Sequence, residues 1–111
     1  MSEDITVTIK GQRGSPPVLT TIASGIVIQL DKVSAVEATG FQSAEPHYTY
    51  QAYTTQLPVS DPQLLREGDL LIDQKVIDPM TGTYRQYRII ADAEPFIDQH
   101  WEMMCFKWRG R

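Results

Sequence analysis

The chain has 111 residues, of which 41% are hydrophobic and 22% charged, and a net charge of −4. That is the composition of one globular domain with one modest core; it excludes a second domain and a disordered chain. The negative balance excludes a protein drawn to DNA by bulk electrostatics, and the single cysteine, Cys105, excludes an intrachain disulfide or a cysteine zinc cluster.

The N-terminal "MSEDITVTIK" carries acids where a secretion signal carries basic residues, and no apolar h-region follows. No apolar run approaches the roughly 20 residues that span a bilayer. A lone thiol suits a reducing compartment. The expectation is a soluble protein, intracellular where it is made, with no membrane partner.

In chain order, "ITVTIKG" alternates, with Ile5, Val7 and Ile9 on one side and Thr6, Thr8 and Lys10 on the other, which predicts a half-buried strand. "GQRGSPP" ends it with glycine and two prolines. Residues 18–24 fit either a short helix or a strand, and "GIVIQL" predicts a strand with Gly25 as a bulge or bend. A polar loop over residues 37–46 leads to "HYTYQAYTTQL", a strand by its aromatic and threonine content. Ser60, Pro62 and Gly68 mark one or two helical turns as cap, first position and stop. "DLLIDQKVI" and "TYRQYRIIADA" predict a hairpin whose turn, "DPMTG", rests on Asp78, Thr81 and Gly82. After the loop "EPFIDQ" comes a last strand, "HWEMMCFKW". Strands joined by turns, with little helix, predict an all-β domain over residues 1–111: a small β-barrel or sandwich with long loops and at most one short helix.

The search for chemistry is negative. The two histidines, His47 and His100, stand at no metal-ligand spacing with a carboxylate or with Cys105. Cys105, between Met104 and Phe106, reads as a buried inert thiol. Asp69 and Asp73 could share one side of a strand as an acid–base pair, but Asp69, Asp73, Asp78, Asp92 and Asp98 read better as solvent-facing strand ends and turns. "DPMTG" lacks the alternating oxygen ligands of a calcium loop, and no phosphate-cradling or nucleophile motif is present. No cofactor, metal or catalytic residue is expected. Tyr48, Tyr50, Tyr53, Tyr84 and Tyr87 could stack bases, giving the alternative of a β-barrel binding module for single-stranded nucleic acid or a peptide. The basic residues Arg85, Arg88, Lys107, Arg109 and Arg111 are interrupted by Asp92, Glu94, Asp98 and Glu102, so no basic stripe forms.

The last strand is apolar on both sides: Trp101, Met103 and Cys105 alternate with Met104, Phe106 and Trp108. One side must pack on the core. The other is covered either by the chain itself or by another subunit, because an uncovered row of Phe and Trp is a sticky patch. In the second case the interface anchors are Trp101, Met104, Phe106 and Trp108, residue types that interfaces favour.

From residue 48 onward, "EGDLLID", "MTGTYRQYRII" and "DQHWEMMCFKW" follow one another in an order that resembles the head–tail joining proteins of long-tailed bacteriophages, the head-closure or stopper group. The strongly basic N-terminal segment of some joining proteins is missing. The resemblance implies a short all-β virion protein of the neck, assembled in the host cytoplasm. It would form a ring with copies of itself between portal or adaptor proteins and tail proteins. Double-stranded DNA would pass through the lumen without sequence recognition, and the ring would help retain it. A gating or docking loop is then expected in the longest polar loop, around Glu37, Thr39, Gly40, Phe41, Gln42 and His47, with "GQRGSPP" as a second candidate.

Overall fold

A computed structural model describes residues 2–32, 49–91, 93–96 and 99–109. Among them seven strands form one antiparallel sheet: β1 (Ser2–Arg13), β2 (Val18–Lys32), β3 (Thr49–Thr54), β4 (Leu70–Ile77), β5 (Tyr84–Ile89), β6 (Glu94–Phe96) and β7 (His100–Trp108). The sheet order is β3-β2-β1-β4-β5-β7-β6, and β3 also pairs with β7. This last pairing closes the sheet on itself, so the fold is an uneven β-barrel in which β6 is a short flap on β7. The gating or docking loop expected around Glu37, Thr39, Gly40, Phe41, Gln42 and His47 lies outside the described residues.

Alternation explains the barrel. Ile5, Val7 and Ile9 of β1 point inward, where they meet Ile28 and Leu30 of β2, Leu71 of β4, Tyr87 and Ile89 of β5, and Trp101, Met103 and Cys105 of β7. Each of these residues is buried; β3 adds Ala52 with Tyr50 packed against the cluster, and β4 also buries Ile72 next to Leu71.

The structure resolves one open alternative and departs from expectation at two elements. Residues 18–24 are strand, not helix: β2 pairs with β1 all the way to Arg13↔Val18, across register shifts beside Ile9 that mark the bulge near Gly25, whose φ is +68°. β1 runs through "GQR" to Arg13, and the turn falls on residues 14–17. No helix forms over residues 60–68. Asp61 takes the local main chain instead, its carboxylate accepting the Gln63 N–H at 2.9 Å and its carbonyl the Leu64 N–H at 3.1 Å. The leucines of this connector, Leu57 and Leu65, are buried in the barrel core, which fixes the segment as a plug across one mouth.

The register assigns the two ends of the barrel. One carries the β1–β2 turn, the β3–β4 connector and the start of β7; the other carries the start of β1, the β4–β5 turn and the end of β7. The two long hairpins therefore point in opposite directions.

Candidate interaction surface

Alternation along β7 separates two rows of side chains. Trp101, Met103 and Cys105 face inward and are buried. Trp101 has no exposed surface, and its indole N–H donates to the Pro58 carbonyl at 2.9 Å. It belongs to the core and cannot anchor an outside partner, which corrects the expectation for this residue. The reason is the plug: residues 55–69 fold over the mouth and give the indole its acceptor. Burial also pushes the Cys105 thiol up to about 12, which leaves it in the inert thiol form.

His100, Glu102, Met104, Phe106 and Trp108 form the outer row. Register sets Tyr53 beside Glu102, Gln51 beside Met104, Arg88 beside Phe106 and Gln86 beside Trp108. Met104, Phe106 and Trp108 are half-buried. Phe106 and Trp108 meet edge to face with centroids 5.9 Å apart, and the Arg88 guanidinium lies 4.6 Å from the Trp108 ring centre. At the other end of the row His100 is sandwiched between Phe96, 4.6 Å away, and Tyr53, 4.8 Å away, with Nε2 2.8 Å from the Glu102 carboxylate. The outer face of β7 is thus an aromatic stripe with charged edges.

Three of the aspartates expected to face solvent do not. Asp69, Asp73 and Asp78 are buried, and each holds an arginine. Arg13 donates to both carboxylate oxygens of Asp69, at 2.9 and 2.7 Å, and the Arg66 N–H adds a third bond at 2.9 Å. The fork geometry raises the Arg13 pKa, chiefly through the Asp69 hydrogen bond. Gly11 makes room for it: a methyl group there would occupy the place of the Asp69 carboxylate. Arg85 donates to Asp73 at 2.7 Å and to Glu3 at 3.3 Å. Asp78 accepts the Met80 N–H at 2.9 Å and Arg109 Nε at 3.0 Å, and the pKa of its carboxyl is lowered by the Met80 bond first and by Arg109 second.

The sequence could not reveal Asp69 with Arg13 or Asp78 with Arg109, whose partners are 56 and 31 residues apart, whereas Asp73 and Arg85 are opposite one another in the β4–β5 hairpin. These pairs also use up arginines that would otherwise face a phosphate backbone. No acid–base pair results: Asp69 and Asp73 each face a guanidinium rather than each other. Among the described residues no group of three or more His, Cys, Asp or Glu could hold a metal ion, and Asp92, Asp98 and His47 lie outside them.

The β4–β5 turn brings Asp78, Thr81 and Gly82 together. The Asp78 carbonyl accepts from Thr81 at 3.2 Å and Gly82 at 2.9 Å, the Asp78 N–H donates to Thr83 at 2.8 Å, and Gly82 takes φ +72°. This hairpin leaves Ile77 55% and Met80 74% exposed, while the opposite hairpin leaves Val18 62% and Leu19 51% exposed. A shallow recess of about 150 Å³ between Thr81, Thr83, Gln86, Trp108 and Arg109 joins the β4–β5 turn to the aromatic stripe. No helix among the described residues is long and apolar enough to cross a membrane. Comparison of the chain with protein-family models, with curated proteins and with solved structures finds no match.

Proposed function

We propose that the chain is a structural subunit of a bacteriophage head–tail junction: one copy in a ring that connects the portal or adaptor proteins to the tail and helps retain packaged DNA. The observation that carries this reading is the placement of exposed apolar side chains at both ends of one closed barrel, Val18 and Leu19 at one and Ile77 and Met80 at the other. A connector must hold one partner above and another below, and a rigid barrel with a sticky hairpin at each end has that form. The outer row of Met104, Phe106 and Trp108 offers a third, lateral surface for the neighbouring copy, as a head-to-tail ring requires. The net charge of −4 favours a lumen that lets DNA slide rather than grip it. The reading gives the protein no catalytic residue and no cofactor, and places it in the virion neck.

Deleting the gene from the phage or prophage that encodes the chain tests this. Electron micrographs are expected to show filled heads without tails, beside free tails, and heads that lose DNA on standing. Intact tailed particles from the deletion strain would overturn the reading.

One observation favours a second reading, a binding module for single-stranded nucleic acid or a peptide: Tyr53 and Phe96 are exposed rings already stacked against His100, and a base could continue the stack. Fluorescence anisotropy with labelled oligonucleotides separates the two. Salt-sensitive binding that Tyr53→Ala abolishes supports the module, and no binding supports the junction.

A further inference from the structure

Around the closed barrel the strands run β1, β4, β5, β7, β3, β2, so β4–β5 and β3–β2 are opposite walls with β1 and β7 between them. Register sets the outward side chains of each wall in rows. On the β4–β5 wall Thr8, Ile72, Gln86 and Trp108 make one row, and Lys10, Leu70, Arg88 and Phe106 make the next. These rows hold two cations and no acid. Arg88 lies over the Trp108 ring at 4.6 Å, and neither Arg88 nor Lys10 is paired with a carboxylate among the described residues.

The opposite wall inverts that charge. Asp4, Gln29, Tyr53, Glu102 and Glu94 form one row across five strands, and Asp31, Gln51 and Met104 lie in the row beside it. These rows hold four carboxylates and no lysine or arginine. Glu102 is shared with His100 and Gln51, whereas Asp4, Asp31 and Glu94 are paired with no cation among the described residues. Tyr53 is 38% exposed, and a shallow recess of about 160 Å³ beside it is lined in part by Asp4 and Gln29.

This division selects the partner. Either wall set against the same wall of another copy brings like charges together, whereas either wall set against the opposite one brings unlike charges together. Isolated surface ion pairs contribute little, so Trp108 on one side and Tyr53 on the other supply the burial, and the charges select the partner and its register. Because the two surfaces are on opposite sides of the barrel, the contact is head-to-tail: each copy offers one to each neighbour, and the series closes as a ring. Four carboxylates also make the Tyr53 wall a poor place for a phosphate backbone.

We propose that the acidic β2–β3 wall is the second half of the lateral contact: the wall of Lys10, Arg88 and Trp108 on one copy docks on the wall of Asp4, Tyr53 and Glu94 on the next. The proposal rests on the ring reading, which gives the neighbouring copy only the Trp108 side, and it names the surface that this side meets.

Sedimentation velocity of the purified chain over a concentration series, at about 50 mM and about 500 mM salt, tests it. Reversible self-association is expected, weaker at the higher salt. Lys10→Glu/Arg88→Glu makes both walls acidic and is expected to weaken association about tenfold or more. Asp4→Lys/Glu94→Lys is expected to do the same from the other side. An equimolar mixture of the two double variants, each folded by near-ultraviolet circular dichroism, is expected to associate again, and so is the chain carrying all four substitutions. A wild-type chain that stays monomeric at low salt, or a mixture and a fourfold variant that both fail to recover, would overturn the proposal. Gene deletion reads the junction separately. A monomeric chain whose loss leaves heads without tails overturns this contact alone, and a charge-swappable oligomer whose loss leaves tailed particles intact overturns the junction alone.

Discussion

The two long hairpins are built on opposite plans. The β4–β5 hairpin is clasped twice: at its base Asp73 holds Arg85, and at its tip Asp78 holds Arg109 while folding its own turn. The β1–β2 hairpin has one buried clasp near its tip, Arg13 with Asp69, besides the more exposed Glu3–Arg85 pair at its far end; past Arg13 the tip shows only main-chain pairing and small or apolar side chains. A hairpin fixed by buried ion pairs keeps one shape whether or not a partner is present. A hairpin held by its ladder alone leaves hydrogen-bonding capacity on its open side. The difference is therefore one between a preformed surface and an adhesive one.

The largest way to break the contrast is Asp69→Ala. It takes the carboxylate from the Arg13 guanidinium, which keeps only the Leu64 and Gln12 carbonyls, and leaves the Arg66 N–H without its acceptor, and should cost about 3 kcal/mol in denaturant unfolding. Gly11→Ala should fall in the same direction, because the added methyl evicts the same carboxylate. Asp73→Ala should cost about 3 kcal/mol, somewhat eased because Arg85 keeps Glu3. Asp78→Ala loses the Met80 bond and a pair whose arginine is half in water, so about 1–2 kcal/mol is expected.

Acid sharpens the same point. Because the folded-state pKa of Asp78 lies below its unfolded value, the unfolded chain takes up the proton first as the pH drops. The stability it contributes is complete above the ordinary carboxylate range and is lost as the pH falls through the folded pKa. Asp78→Asn should flatten the acid limb of a stability–pH curve measured by thermal unfolding. The smallest expected effect is at Thr20→Val on the open hairpin, within about 0.5 kcal/mol by the same unfolding measurement. Cys105 reports on all these variants: its buried thiol should react with an aromatic disulfide reagent only when the barrel opens, so the labelling rate should rise in the order of the losses above.

Much of the barrel is legible in the residues. The inward set Ile5, Val7 and Ile9 follows from period-two alternation, and so does the division of β7 into two rows, although not which row faces the core; the turn at Asp78 and Gly82 follows from its turn residues. Residues 18–24 resist that reading because alternation records burial, and this half of β2 buries nothing fully on either side. The burial of Asp69, Asp73 and Asp78 escapes the sequence for a different reason. Asp69 and Asp78 look solvated until the fold brings Arg13 and Arg109 from distant segments, and nothing local announces that; Asp73 meets Arg85 across its own hairpin. Trp101 shows the limit of residue type as a guide: tryptophan suits interfaces and cores equally, and only the Pro58 carbonyl decides which.

The seam between β3 and β7 sets a timetable. It joins Thr49–Thr54 to Trp101–Phe106, so the barrel cannot shut until the final strand has left the ribosome. A nascent chain that has made β1 through β5 holds a half-open sheet with Ile28, Leu71 and Ile89 facing water. Maturation thus passes through a vulnerable interval in which chaperones, or sister chains from the same message, compete with β7 for that surface.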